Sequence, residues 1–198
     1  MNQTPWNRIV KTTAAVSEPV SLGRVKRSLG LDNVIDYDTT LQELIASASQ
    51  AVSNDLGRAL TTTTYTLYLQ RWPGRIIELP YPPLIAVDSI KYYADSDSTL
   101  TTFSSYTGAK EGEPGLIALN ESKDWPDLRE RGVNPIEMQF QAGYGADTDD
   151  VPPAIQAAVT MTAAMWFEQP LPVITGTIST ELPLSVSRLI NSERFERY

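Results

Sequence analysis

The sequence predicts an α+β fold in which two N-terminal helices, an antiparallel β insertion and two C-terminal helices follow one another. Apolar residues recur every three or four positions near residues 41–56 and 155–166, as they do on one face of a helix. Between these regions lie five or six short stretches rich in β-branched and aromatic residues. The gaps between them are too short for helical crossovers, which favours an antiparallel sheet or a small barrel.

The two N-terminal helices have recognisable ends. Ser21 is placed to cap the first helix and Gly30 to end it in a left-handed conformation. Residues 38–40 are capping candidates for the second helix, and Gly57 is expected to stop it. The apolar stripe of this second helix consists of Leu41, Leu44, Ile45, Ala48, Val52 and Leu56.

The central region has the pattern of strands. From Thr61 the run TTTTYTLYLQ alternates, which places Tyr65, Leu67 and Leu69 on one face. Further strands are predicted at residues 75–79, 87–93, 100–106, 115–119 and 136–141.

Helical periodicity returns after Asp150. Pro152 fits the first turn of a third helix, and Pro170 and Pro172 are expected to end it. The linker TGTIST then leads to a shorter helix. The predicted domains are an N-terminal extension of residues 1–17, a helical core of residues 18–60 and 150–198, and a β insertion of residues 61–149.

Composition excludes several kinds of chemistry. The 198 residues include no Cys and no His, which excludes thiol nucleophiles, zinc fingers and Ser-His-Asp catalysis. We expect no cofactor, and any metal site would need oxygen ligands alone. No stretch approaches the roughly 18 apolar residues of a membrane span, so we expect no membrane partner.

Charge is unevenly distributed along the chain. The net charge is −8, with +1 in residues 1–87, −8 in residues 88–150 and −1 in residues 151–198. The one basic cluster, Arg24, Lys26 and Arg27, is predicted on the polar face of the first helix. Tight DNA binding needs a larger basic surface, so we do not expect it.

Two groups of carboxylates are candidate sites. Asp147, Asp149 and Asp150 suggest a calcium loop, but the prolines that follow at once favour a polar turn whose last aspartate caps the next helix. Glu78, Glu137 and Asp88 suggest a glycosidase pair if a sheet brings them together, which their spacing does not establish.

A resemblance is carried by short strings that follow one another from about Glu18 to Ile190. They are EPVSLGRVKRSLGLD, GRALTTTTYTLYLQRWPGRIIELPYPPL, VDSIKYY, MQFQAGYG, VPPAIQAAVTMTAAMWFE and TELPLSVSRLI. In this order they resemble the head-to-tail connector, or adaptor, proteins of tailed phages and prophages, a family associated with DNA packaging. The first 17 residues lie outside the resemblance.

The resemblance implies a helical adaptor core with a β insertion, assembled as a ring of about twelve copies under the phage portal protein. The ring frames the channel through which DNA passes without tight binding, and it presents a surface to a head-completion, stopper or tail protein. The implied location is the virion, after assembly in the host cytoplasm. The family has no catalytic residues to transfer to this chain.

Related connectors are thought to reach the portal with their C-terminal ends. The apolar residues of the C-terminal segment, residues 180–198, are too few to form a core alone, so the segment is expected to order against a partner. The candidate portal-docking residues are Leu184, Leu189, Ile190, Phe195 and Tyr198. The alternative is that this segment packs on its own subunit as an ordinary terminal helix.

Two other functions stay open on the sequence. One is a tail-associated enzyme that degrades the cell envelope with Glu78 or Glu137 as acid and base. The other is a monomeric tail-completion or chaperone protein.

Overall fold

A computed structural model describes residues 6–13, 15, 17–94, 99–128, 133–169, 186 and 189–194 of the chain. The chain divides into two compact units. The β unit consists of Met1–Val16 and Thr62–Gly143, and the helical unit consists of Ser17–Thr61 and Tyr144–Tyr198. No helix in the described ranges is long and apolar enough to cross a membrane.

The predicted helical core with two N-terminal and two C-terminal helices is wrong. The described residues form three α-helices and eight strands in two antiparallel sheets, so the fold is mostly β. The helices are α1 (Leu22–Leu29), α2 (Asp38–Leu56) and α3 (Pro153–Glu168). The prediction overweighted the helices because a long helix has a strong local periodicity, whereas a short strand is defined largely by its partners.

The ends of α1 and α2 follow from local chemistry. The Ser21 side chain accepts a hydrogen bond from the Arg24 amide at 3.3 Å, which confirms the predicted cap. Gly30 and Gly57 end the two helices with φ of 70° and 66°, a conformation that favours glycine. The start of α2 differs from the prediction, because Tyr37 precedes the helix and no side chain caps it.

The core of the helical unit combines residues from both ends of the chain. α2 packs on α3, and α1 contacts both. Buried side chains of α2 and α3 form one cluster, which Val20, Val25, Val186 and Ile190 complete. The members from the two longer helices are Leu41, Ile45, Ala48, Val52, Leu56, Ile155, Ala158, Val159 and Ala163.

The β unit contains all eight strands. They are β1 (Trp6–Thr13), β2 (Thr63–Leu69), β3 (Ile76–Glu78), β4 (Leu84–Tyr93), β5 (Leu100–Phe103), β6 (Tyr106–Ala109), β7 (Leu116–Leu119) and β8 (Ile136–Ala142). The larger sheet has the order β1-β2-β8-β4-β5, and the smaller sheet has the order β3-β7-β6. β1 is not predicted from the sequence, and its pairing with β2 extends the larger sheet.

The two sheets of the β unit approach each other at β4. A Cβ atom placed on Gly115 would overlap the Leu84 side chain, and one placed on Gly108 would lie 3.4 Å from Val87 Cγ2. A side chain at Gly115 would therefore push β7 away from β4, which explains why glycine stands there.

Tyr65 of β2 lies in the interior of the β unit. Its ring stacks on Tyr81 and Phe140, with centroids 4.9 and 5.7 Å away. Burial, with a smaller contribution from Tyr81, raises the pKa of Tyr65 from 10.0 to about 12, while a hydrogen bond with Thr63 acts in the opposite direction. The folded protein therefore holds this phenol in its neutral form.

Stability should consequently fall in alkaline solution. The unfolded chain releases the Tyr65 proton near pH 10 and the folded chain near pH 12. The contribution of neutral Tyr65 to the free energy of unfolding is therefore complete below pH 10 and is lost between these two values. We expect a loss of about 2–3 kcal/mol that the Tyr65→Phe variant does not show. Urea unfolding of both proteins from pH 8.5 to 11.5 measures the difference, and parallel curves would contradict it.

Candidate functional site

The C-terminal segment contains the predicted docking residues, and the structure separates them. Leu184, Phe195 and Tyr198 lie outside the described residues. Ile190 is 0% exposed and belongs to the core of the helical unit, whereas Leu189 is 37% exposed. The described part of this segment therefore has one side anchored in its own unit and one side open to a partner.

Hydrogen bonds fix the segment to the end of α2. Arg194 donates to both carboxylate oxygens of Asp55 at 2.7 Å. Arg58 Nε donates to the Glu193 carbonyl oxygen, which lies in a short 3-10 turn, Asn191–Glu193. These bonds hold the C-terminal end of that turn on the helical unit.

The basic cluster of α1 is largely used inside the helical unit. Lys26 is 8% exposed and forms an ion pair with Asp38 at 2.7 Å. Arg24 donates to Gln156 Oε1 at 2.6 Å, and the amide nitrogen of Gln156 bonds to two carbonyl oxygens before α3. Of the three cations predicted on the polar face of this helix, Arg27 is exposed, Arg24 is partly exposed and Lys26 is buried.

The acidic turn is a structural element that precedes α3. The side chain of Asp150 accepts from the Asp147 amide at 3.0 Å, and the Asp147 side chain accepts from the Asp150 amide in return. Asp150 therefore closes its own turn, and the expectation that it caps the next helix is wrong. Gly145 lies so close that a Cβ there would overlap the Asp150 carboxylate.

The carboxylates considered for catalysis lie on different strands. Glu78 is on β3 of the smaller sheet, whereas Asp88 and Glu137 are on β4 and β8 of the larger sheet. Asp88 accepts from the Gln141 side chain at 2.9 Å, while Glu137 lies opposite Lys91 in the register of β8 and β4, about 10 Å further along β4. In the described part of the chain, no three acidic side chains lie close enough to hold a metal ion.

A surface that the sequence analysis does not predict is the solvent side of α3. No charged residue stands between Asp150 and Glu168, and Met161, in the middle of this side, is 45% exposed. A surface helix normally carries charges on its solvent side. We call this surface the outer face of α3, and it consists of Ala154, Ala157, Met161, Ala164 and Met165. The missing charges were the sequence signal for it.

The solvent side of α2 is similar in character. Asp38 and Asp55, at its two ends, are engaged by Lys26 and Arg194. Its exposed middle is small and polar, with Glu43 as the charged member. We call this surface the outer face of α2, and it consists of Glu43, Ala46, Ser47, Gln50 and Asn54.

Comparison with known proteins gives a match in structure alone. No protein-family model and no curated protein matches the sequence. A chain from the neck of an empty gene transfer agent particle, computed with C6 symmetry, matches with a TM-score of 0.79 and 20% identity, covering 96% of this chain and 97% of that one.

Two further structures agree. A chain from the virion of a native gene transfer agent particle gives a TM-score of 0.75 at 20% identity, covering 96% of each chain. A chain from the neck of the native particle, computed with C12 symmetry, gives 0.71 at 21% identity and covers 96% of this chain and 97% of that one. The protein therefore shares its fold with these chains over nearly its whole length.

Packing of the C-terminal segment on the helical unit can be tested by comparing the free energies of unfolding of two alanine variants. Ile190→Ala removes a fully buried side chain and should cost about 2–4 kcal/mol. Leu189→Ala removes a partly exposed one, and its effect should stay within about 0.5 kcal/mol. Urea unfolding measures both. Equal effects of the two variants would show that the segment does not pack as described.

Proposed function

We propose that the chain is a structural, non-enzymatic component of the neck of a tailed-phage-like particle, acting as a head-to-tail connector. The observation that carries this proposal is the likeness to neck chains of gene transfer agent particles over 96% of this chain. The absence of His and Cys, which removes the commonest catalytic groups near neutral pH, is consistent with it. The location that follows is the virion, after assembly in the host cytoplasm.

The proposed assembly is a ring of about twelve copies that docks on the portal protein. The neck structures with this fold were computed with C6 and C12 symmetry. In a cyclic ring, each copy uses two different surfaces to contact its neighbours. The opposite end of such a ring presents a surface to a head-completion, stopper or tail protein.

The proposed channel lets DNA pass without tight binding. Three basic side chains contact partners within the fold: Lys26 binds Asp38, Arg24 binds Gln156 and Arg194 binds Asp55. These contacts stabilise the fold. The net charge of −8 repels a polyanion at long range. A channel built from such chains would not hold DNA in place.

Weak DNA binding is therefore expected of the full chain. Mobility shifts with duplex DNA at physiological salt should show no complex below micromolar protein, the range of nonspecific binding. The Arg27→Glu variant should behave in the same way, because one exposed cation contributes little. An affinity near nanomolar that falls steeply with salt would contradict this part of the proposal.

Portal docking is assigned to the C-terminal segment with Leu184, Leu189, Ile190, Phe195 and Tyr198. Ile190 serves this role indirectly, because its buried side chain anchors the segment in the helical unit. Leu189 and the residues beyond Arg194 are left to contact the portal. The bonds of Arg194 with Asp55, which hold the end of the described segment on α2, support this division.

The docking role can be tested without damaging the fold. Deleting residues 188–198 would also remove Ile190 and Arg194, so loss of assembly would be ambiguous. Leu189→Asp and a truncation that removes residues 195–198 keep both anchors. Each variant should unfold within about 0.5 kcal/mol of the wild type and fail to join capsids that contain the portal.

Ile35→Asp is the matched control, because it places the same charge on an exposed apolar residue elsewhere in the helical unit. It should be incorporated like the wild type. Immunoblots of purified particles measure incorporation, and normal incorporation of both C-terminal variants would rule out the docking role.

A further inference from the structure

The outer faces of α2 and α3 point away from the core that the two helices share. On α3, Met161 follows the buried Val159 by two positions, which corresponds to about 200° around the helix axis. On α2, Gln50 follows the buried Ala48 in the same way. Because the buried stripes of both helices meet in one cluster, their outer faces lie on opposite sides of the helix pair.

Charge limits what can cover these faces. The helical unit carries 7 basic and 13 acidic residues, so two copies repel each other overall and acidic surfaces oppose contact between them. The outer face of α3 has no charged residue, and that of α2 has one, Glu43. These are surfaces on which a second copy can pack without bringing like charges together.

Other occupants fit less well. A lipid surface or a nucleic acid would require Lys or Arg around the apolar residues, and neither face contains any. Met161 is a long, adaptable side chain, and Ala46, Ser47 and Gln50 leave space for it. A side chain of one helix surface then packs into the groove of the other, as in ordinary helix packing.

We propose that neighbouring copies of this chain contact each other through these faces, with the outer face of α3 of one copy on the outer face of α2 of the next. Two different faces on opposite sides of the subunit produce a head-to-tail contact, which closes into a ring when the rotation between copies permits. This inference rests on the proposed function, to which it adds the residues that join the copies.

The natural absence of cysteine makes the contact directly testable. A full-length Met161→Cys/Gln50→Cys variant carries one thiol on each face. Mild oxidation of the concentrated protein should link copies into dimers, trimers and longer multimers, because every copy can bond on both sides. Each single-cysteine variant can form dimers only.

The matched control is Ile76→Cys/Gln50→Cys, since Ile76 is 59% exposed and belongs to β3 of the β unit, so it is not part of the outer face of α3. The test variant should yield at least about ten times more multimer than this control, because a specific contact raises the effective thiol concentration. An equal yield would overturn the interface. Efficient dimers from Met161→Cys alone would also overturn it, because they would indicate a symmetric contact between two α3 helices.

A charge exchange provides a second measurement. Met161→Lys places an unpaired charge in the contact and should weaken self-association, followed by sedimentation velocity, roughly tenfold or more. Adding Gln50→Glu to the same chain should restore most of it by pairing the lysine on the next copy. Unchanged thermal unfolding would show that Met161→Lys folds normally, and lack of rescue would contradict the pairing of the two faces.

The two proposals fail in different ways. If the wild-type chain is found by immunoblot in purified tailed particles but the test variant gives no excess of multimer, the interface is wrong and the neck function stands. If the wild-type chain is absent from the particles, the neck function is wrong whatever the cross-linking shows.

Discussion

The helical unit depends on one apolar core that two distant stretches of the chain must build together. Leu41, Ile45 and Val52 come from the first stretch, and Ile155 and Val159 come from the second. Neither stretch can bury its stripe alone, and short isolated helices are marginal in water. Hydrogen bonds hold the two stretches together where the strands of the β unit interrupt them, from the Tyr144 amide to the Leu60 carbonyl and from the Ser17 hydroxyl to the Ala146 carbonyl. The strands of residues 62–143 can therefore be inserted between the two stretches without dividing this core.

Three basic side chains of the helical unit form contacts within the unit. Lys26 connects α1 to α2, Arg24 connects α1 to α3, and Arg194 fixes the C-terminal segment to α2. The Lys26–Asp38 pair is costly to break, because Lys26 is buried and would be left as an uncompensated charge. A cation held between two elements is not free to follow a phosphate backbone. In the proposed channel, the contacts that orient the helices would thus also leave these cations unable to hold passing DNA.

For an acidic protein that assembles from identical copies, repulsion between the copies is a second electrostatic constraint. Like charges oppose association, so the surfaces that meet need to be uncharged, while the remaining surface can keep the charge that maintains solubility. The outer face of α3 satisfies this condition through its alanines and methionines, and the outer face of α2 does so through small polar side chains. In the proposed assembly, the C-terminal segment adds a third contact, anchored by Ile190 and open at Leu189. Each helix of the pair would thereby have a core side and an assembly side.

The sequence by itself determined the features that depend on neighbouring residues. The span of the long helices, the glycines that end α1 and α2 and the buried face of β2 are local. The kinds of chemistry excluded by the absence of His and Cys follow from composition alone. The tertiary structure decided the rest. β1 is a strand because β2 offers it a partner, and Lys26 is buried because Asp38 lies opposite it. Ile190 became a core residue because α2 and α3 leave a site that it fills. The balance between helix and sheet was misjudged for the same reason: strand pairing and side-chain burial are set by residues far away in the sequence, which a local pattern does not contain.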